Sequence, residues 1–159
     1  MTHATTHLDH PGFVERRAIW AENTAVLAGS THTLLRIGAG LLFLQHGLQK
    51  MFGLLGGFMG TPGATAPLMS QIGLAGVLEV VGGILLVLGL LTRPVALVLV
   101  IEMIAAFFIA HFPRGGWPIQ NGGELPLLFA LMFAFLAANG SGPLALDRRI
   151  RWPWSKERI

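Results

Sequence analysis

The sequence predicts an all-α fold: an integral membrane four-helix bundle with both termini in the cytoplasm. Only 12% of the 159 residues are charged and 53% are hydrophobic, whereas a soluble domain carries roughly a quarter charged residues. A membrane-spanning helix needs about 20 mostly apolar residues, within a range of roughly 17–25. Four apolar runs approach that length and predict helices at about 34–56, 71–91, 94–112 and 124–139. Length and low charge both disfavour buried helices of a soluble protein.

Turn residues separate the four predicted helices. The Gly- and Pro-rich segment 56–67 follows the first helix, and a second such segment, 113–123, follows the third. The second and third helices meet at the tight turn 91–94. Pro94 is suited to a helix start because its missing N–H costs little there.

The transmembrane domain, 34–140, is flanked by a polar N-terminal tail at 1–33 and a basic cytoplasmic tail at 141–159. Within the N-terminal tail, large apolar residues recur every seven positions, at Phe13, Trp20 and Leu27. This spacing is typical of a helix lying in the membrane interface. A solvated tail without fixed structure is the open alternative.

Basic residues set the predicted orientation. Arg93 lies in the turn between helices two and three, and five more basic residues follow the last helix: Arg148, Arg149, Arg151, Lys156 and Arg158. Because Lys and Arg are retained on the cytoplasmic side, we expect both termini and the Arg93 turn in the cytoplasm. Arg36 and Arg93 are structural candidates at that face, where long side chains snorkel to the interface. The isoelectric point of 10.6 therefore indicates membrane-flanking charge, and no nucleic-acid partner is expected.

The chain contains no cysteine, which excludes disulfide exchange, cysteine-ligated iron–sulfur clusters and covalent c-type haem. Neither Glu79 nor Glu102 is followed by a histidine three residues later, as di-iron bundles require. His46 and His111 lie at different depths, which disfavours a haem held by both. We therefore predict no metal site and no covalently bound cofactor, so any redox chemistry belongs to a bound small molecule or another subunit.

Four ionisable side chains lie away from the ends of the predicted helices: His46, Lys50, Glu79 and Glu102. An ion at the centre of a membrane helix costs roughly 2.5–3.5 kcal/mol on insertion scales, so such groups usually face the bundle interior. Counted from the cytoplasmic arginines at about 1.5 Å per residue, Lys50 lies level with Glu79, and His46 with Glu102. We predict that Lys50 and Glu79 form a pair across helices one and two.

Three further polar residues are expected near the outer face: His111, Asn121 and Glu124. Together the seven are candidates for ligand binding or a proton relay, and the catalytic residues stay unknown. Two interpretations remain open. A buried ion-pair network would fix helix register. Alternatively, an apolar pocket near mid-membrane would hold a quinone ring while lysine or histidine bonds its carbonyls and the glutamates exchange protons.

Five segments together resemble the DoxX family of small four-helix membrane proteins: LLRIGAGLLFLQHGLQKMFG, GLAGVLEVVGGILLVLGLLTRP, IEMIAAFF, NGGELPLLF and GPLALD. The resemblance extends from about residue 34 to residue 147. It is carried by H-G-x-x-K, a glutamate before paired glycines, an arginine after helix two and a late Asn-x-x-Glu. The family often has a serine two residues before the final aspartate. Here that position is Ala145, so a role for that hydroxyl is not carried over.

The resemblance implies membrane redox physiology, since relatives are associated with thiosulfate:quinone oxidoreduction, quinone stress or redox assemblies. We expect a multi-pass inner-membrane protein that binds a quinone-like molecule. If it is an enzyme, it is a quinone-linked oxidoreductase or a subunit of one. The alternatives are a non-catalytic anchor or scaffold for a redox complex and, third, a small transporter or proton path. The expected partners are the bilayer, a quinone, and a redox subunit or a second copy of the chain.

Overall fold

The computed structural model describes residues 11–150, and within that range every regular element is helical. The main helices are α1 (Pro11–Phe52), α2 (Gln71–Leu88), α3 (Thr92–Ala106), α4 (Pro118–Asn121) and α5 (Glu124–Asn139). A π-helical segment, Phe107–His111, continues α3. Short 3₁₀ turns lie at Phe58–Gly60, Phe112–Arg114 and Leu146–Arg148. The predicted all-α class is confirmed.

Helix α1 is a single helix of 42 residues, whereas the sequence predicted a helix at about 34–56. No proline follows Pro11 within it, and the Ser30 and Thr31 hydroxyls donate back to backbone carbonyls one turn earlier. It ends before Gly53, which has a φ of 65°. The helix is about 63 Å long, twice the hydrocarbon thickness of a bilayer. Residues 11–33 therefore continue the membrane helix, while residues 1–10 lie outside the described part.

The turn between α2 and α3 is closed by Asp147. Gly89 ends α2 with a φ of 65°, and Leu91 follows with a φ of 52°, a conformation that costs energy for a residue with a side chain. The Asp147 carboxylate accepts hydrogen bonds from the backbone N–H of Leu91 at 2.7 Å and of Thr92 at 2.9 Å. An N-cap side chain normally accepts such hydrogen bonds at the start of its own helix, but here a residue distant in sequence accepts them. Helix α3 therefore begins at Thr92, two residues before the predicted start at Pro94.

Helices α1, α2, α3 and α5 contribute side chains to one hydrophobic core. At its centre Phe43 meets Phe133 edge to face, with ring centroids 4.9 Å apart, and Phe129 stacks on Phe133 at 5.7 Å. Outward-facing side chains are largely apolar too, which suits a lipid environment. Among the described residues, three helical segments are long and apolar enough to cross a membrane: Glu15–Phe52, Gln71–Leu88 and Thr92–Arg114. Glu124–Asn139 is apolar but shorter.

Helices α1 and α2 pack at backbone contact distance through glycines. A Cβ atom added at Gly83 would lie 2.9 Å from the carbonyl oxygen of Gly40. Seven residues further along α1, a Cβ atom at Gly47 would lie 2.6 Å from the backbone nitrogen of Val80. Such an approach is possible only where the side chain is a hydrogen atom. The two helices are therefore antiparallel neighbours with a fixed register.

This packing predicts opposite effects for two glycine-to-alanine substitutions. Gly83→Ala would force α1 and α2 apart and should destabilise the protein by about 1–3 kcal/mol, as overpacking does. Gly38→Ala is the matched control, because a Cβ atom there meets nothing within 4 Å. Removing the backbone freedom of that helical glycine should be neutral or stabilise by about 0.5–1 kcal/mol. Thermal unfolding in detergent measures both, and equal midpoints for the two variants would contradict the close contact.

Candidate functional site

The predicted pair between Lys50 and Glu79 is confirmed. The Lys50 ammonium donates a hydrogen bond to Glu79 Oε1 and forms an ion pair with that carboxylate. The lysine lies over Gly76, where an added Cβ atom would come within 3.1 Å of the Lys50 Cβ. The Lys50 side chain is 23% exposed and that of Glu79 only 3%. The carboxylate is thus the enclosed member of the pair, and the ammonium closes the site toward its edge.

Three buried carboxylate oxygens beside this pair have no hydrogen-bond partner among the described residues. They are Glu79 Oε2 and both oxygens of Glu102. The charges of Glu79 and Lys50 act on Glu102, so α3 brings a second carboxyl group to the pair formed by α1 and α2. Buried polar atoms are nearly always hydrogen-bonded in folded proteins. The unsatisfied carboxylate oxygens of Glu79 and Glu102 therefore make this region the candidate site for a ligand.

His46 lies on the same face of α1, one turn before Lys50, whose charge acts on it. Its ring packs edge-on against Phe129, with centroids 6.1 Å apart. The sequence placed His46 level with Glu102, but the described contacts of Glu102 include no hydrogen bond to the imidazole. The His46 side chain therefore lies between the charged groups and the phenylalanine rings of the core.

His111 and Asn121 meet beyond the C-terminal end of α3, where they close a loop. Asn121 is buried; its Nδ2 donates to the carbonyl of Gly115 at 2.6 Å and its Oδ1 accepts from Gly123 N–H at 2.7 Å. His111 Nδ1 lies 3.1 Å from the backbone oxygen of Asn121. Glu124 is exposed in the first turn of α5, where a carboxylate stabilises the helix terminus. His111 and Asn121 hold the segment between α3 and α5 in place, and a ligand role for these two residues and Glu124 stays a prediction.

The expectation that Arg36 snorkels to the interface is wrong. Its side chain is fully buried, and it donates hydrogen bonds to four backbone carbonyls. Two of these acceptors, Leu86 and Val87, are at the C-terminal end of α2, and two, Ser141 and Leu144, follow α5. The last carbonyls of a helix lack intrahelical donors, and a planar guanidinium can reach several of them at once. Burial is therefore favoured over snorkelling.

Arg93 performs a related task at the end of α5, where its Nη1 donates to the carbonyls of Ala137 at 3.2 Å and Ala138 at 2.7 Å. Sequence reasoning missed two residues that share this end. Asp147 caps α3, and His32 Nε2 lies 3.0 Å from the carbonyl oxygen of Gly140. Asp147 could have been found from its place in the quoted motif GPLALD. No pattern singled out His32.

A groove of about 540 Å³ opens between α1 and α5 beside His32. Its walls are mostly apolar and consist of Ala28, Thr31, His32, Leu35, Leu131, Met132 and Phe135. Lys50 is 18 residues further along α1, about 27 Å away. The groove and the unsatisfied carboxylates are thus separate features. The chemistry of the candidate site belongs to the carboxylates, because the groove presents few polar atoms.

Long apolar helices around an enclosed ionic cluster define a multi-pass membrane protein. Comparison with known proteins identifies its family: residues 31–112 match the DoxX family profile, and the chain belongs to that family. The resemblance found in the sequence is confirmed. An uncharacterized protein of Haemophilus influenzae is 42% identical over 72% of this chain and 87% of its own length.

Two further relatives have informative names. The Bacillus subtilis protein named "Putative oxidoreductase CatD" is 33% identical, over 72% of this chain and 82% of its own. The Escherichia coli "Inner membrane protein YphA" is 32% identical, over 73% of this chain and 87% of its own. No solved structure matches the chain. Family, relatives and helices agree on an inner-membrane protein.

The ion pair predicts a specific pattern of stabilities. Lys50→Met leaves a buried carboxylate without its cation, a loss that costs about 3–5 kcal/mol in fully buried pairs. Glu79→Gln should cost less, because the remaining ammonium is partly exposed. The double variant should be more stable than the sum of the two losses predicts. Unfolding midpoints in detergent complete the double-mutant cycle, and strictly additive losses would show that the residues are not coupled.

Proposed function

We propose that this DoxX-family protein binds a quinone-like molecule against Lys50, Glu79 and Glu102 and acts in membrane redox metabolism. The observation that carries the proposal is the set of three unsatisfied carboxylate oxygens beside a buried ion pair. A structural ion pair alone would need only Lys50 and one carboxylate. A second carboxyl group without partners adds cost without adding stability, unless a ligand or a proton uses it.

The surroundings suit an aromatic, lipid-soluble ligand. Phe43, Phe129 and Phe133 form a ring cluster that His46 joins at its edge. Ligand sites are typically apolar surfaces with a few convergent polar groups. This part of the bundle thus offers both kinds of group that such a ligand requires, apolar rings and hydrogen-bonding carboxylates. The glutamates could exchange protons with it, as general acids and bases do. The name of the relative CatD supports a redox role.

A non-catalytic anchor or scaffold for a redox complex is the second candidate function. The exposed surface in the first half of α1 supports it. The side chains of residues 15–28 are all exposed. Trp20 is 70% exposed, and Ile19, Val26 and Leu27 are each more than half exposed. Exposed large apolar residues on one helix are typical of an interaction surface. A small transporter or proton path, the third reading, has the same carboxylates as support.

We further propose that the chain crosses the membrane four times with both termini in the cytoplasm. Contacts from His32 to Gly140 and from Asp147 to Gly89 place the start of the core, the α2–α3 turn and the end of α5 together. That end carries Arg93, Arg148 and Arg149, so the positive-inside rule favours it as cytoplasmic. Helix α5 is about 24 Å long and would span with the help of the ordered segment before it.

Cysteine labelling tests this topology, because the natural chain has no cysteine. Thr61→Cys and Gly116→Cys lie in the two loops at the end opposite Arg93, and both positions are exposed. They should react with a membrane-impermeant maleimide in intact cells. Ser155→Cys, in the terminal segment beyond the described residues, should react only after the membrane is opened. Labelling of Ser155→Cys in intact cells would overturn the proposed orientation.

Ligand binding is tested directly with purified protein in nanodiscs. Short-chain ubiquinone and menaquinone analogues, each supplied in oxidised and reduced form, should bind the wild type in at least one form. Lys50→Met and His46→Leu should weaken that binding by about tenfold or more, as expected when an interaction of roughly 1.4 kcal/mol is lost. Glu22→Gln removes an exposed carboxylate on α1 and should leave the dissociation constant unchanged.

The outcomes separate the candidates. If folded wild type binds none of these analogues, the quinone hypothesis fails. Stoichiometric recovery of another protein with the wild type, lost when the α1 surface is changed by Trp20→Ala, would then support the scaffold.

A further inference from the structure

The unsatisfied atoms at the site are hydrogen-bond acceptors, and this restricts the ligand. We infer that the molecule bound against Glu79 and Glu102 carries at least one hydroxyl group, so the site selects the reduced hydroquinone, or a related phenol, over the quinone. The inference rests on the proposed function, because it concerns the form of the ligand bound at that same site. The hydrogen-bonding capacity of the carboxylate oxygens then indicates the redox state of that ligand.

Glu79 has one carboxylate oxygen that is bonded and one that is not. Its residue is 2% exposed, its Oε1 accepts from Lys50, and its Oε2 has no partner within the described chain. A carboxylate in an ion pair is ionised, and an ionised carboxylate only accepts hydrogen bonds. Oε2 therefore needs a donor. A quinone offers only carbonyl acceptors, so it would leave this buried oxygen unsatisfied, whereas a hydroquinone O–H can donate to it.

Glu102 is compatible with a hydroxyl in either of its protonation states. If Glu102 is ionised, both of its oxygens accept and it requires more donors. If it is neutral, its O–H donates and its carbonyl accepts. An ionised Glu102 adds to the preference for a hydroxyl, whereas the O–H of a neutral Glu102 can donate to a hydroxyl or to a quinone carbonyl. The preference for a hydroxyl is therefore assigned to Glu79 Oε2.

The backbone donors beside Glu79 and the Lys50 ammonium have other acceptors. Helix α2 passes Glu79 with its backbone N–H groups in helical hydrogen bonds, and the neighbouring residue of α3 across the interface, Leu99, packs against Gly82. The Lys50 ammonium, the available cation, reaches Oε1. No described residue donates a hydrogen bond to Oε2, and we assign that donor to the ligand.

The test compares three molecules that share one ring: 2,3-dimethoxy-5-methyl-1,4-benzoquinone, its hydroquinone kept reduced with dithionite, and the dimethyl ether of that hydroquinone. Each is titrated into purified wild type in nanodiscs under anaerobic conditions. The hydroquinone should bind at least about tenfold more tightly than the other two, because a hydrogen bond to a charged acceptor is at stake. The ether removes the O–H groups without offering redox chemistry, so it separates hydrogen bonding from electron transfer.

Variants localise the preference. Glu79→Gln replaces one acceptor oxygen by an NH₂ donor and should abolish or reverse the selection for hydroquinone. Glu102→Gln keeps Glu79 Oε2 and should retain it, as should Glu22→Gln on the exposed part of α1. If Glu79→Gln does not fold, the comparison of three ligands with wild type still decides the matter.

Each result has one meaning. Tighter binding of the quinone, or equal binding of all three molecules, overturns this inference and leaves the proposed function standing. Absence of binding by all three, together with the ubiquinone and menaquinone analogues, removes the proposed function itself. A hydroquinone preference that persists in folded Glu79→Gln would show that Glu79 is not its source.

Discussion

The antiparallel contact of α1 with α2 at backbone distance fixes the positions of Arg36, Lys50 and Glu79. Gly40 faces Gly83, and Gly47 faces Val80, so one register serves the whole interface. In that register Lys50 meets Glu79 at one end and Arg36 meets the last carbonyls of α2 at the other. A bulkier residue at either glycine would separate both sets of partners together. The charged groups and the glycines thus form a single structural unit, because each requires the other at its observed distance.

The charged side chains at the two ends of this interface have different partners. Arg36 neutralises the partial negative charge at the C-terminal end of α2 and fixes the chain after α5, with every bond going to backbone. Asp147 supplies the opposite charge to the start of α3. Both side chains have several hydrogen-bond partners within the fold. The carboxylates near Lys50 differ, because three of their oxygens are unsatisfied. Arg36 and Asp147 therefore maintain structure, although the buried Thr92 Oγ1 at that end also has no partner among the described residues, and the carboxylates at the Lys50 end keep unused bonding capacity.

The sequence predicted much of this arrangement, for identifiable physical reasons. A constant rise per residue allowed Lys50 and Glu79 to be matched in depth, and the contact followed. The burial of Arg36 could not be predicted, because it depends on which carbonyls are left free by helices distant in sequence. The length of α1 was missed since its first half is polar, although nothing in it breaks a helix. The unsatisfied oxygens of Glu102 are visible only in three dimensions, as they depend on what surrounds the side chain on all sides.

The continuity of α1 has a mechanical consequence. A single helix connects the exposed residues around Trp20 to Lys50 without a proline or a loop in between. A helix of this kind transmits rotation about its own axis and translation along it, because neither motion can be absorbed at a hinge. A force applied to the exposed half therefore acts on the same helix that carries Lys50. The exposed end of α1 and the ion pair between Lys50 and Glu79 are thus connected through one uninterrupted helix.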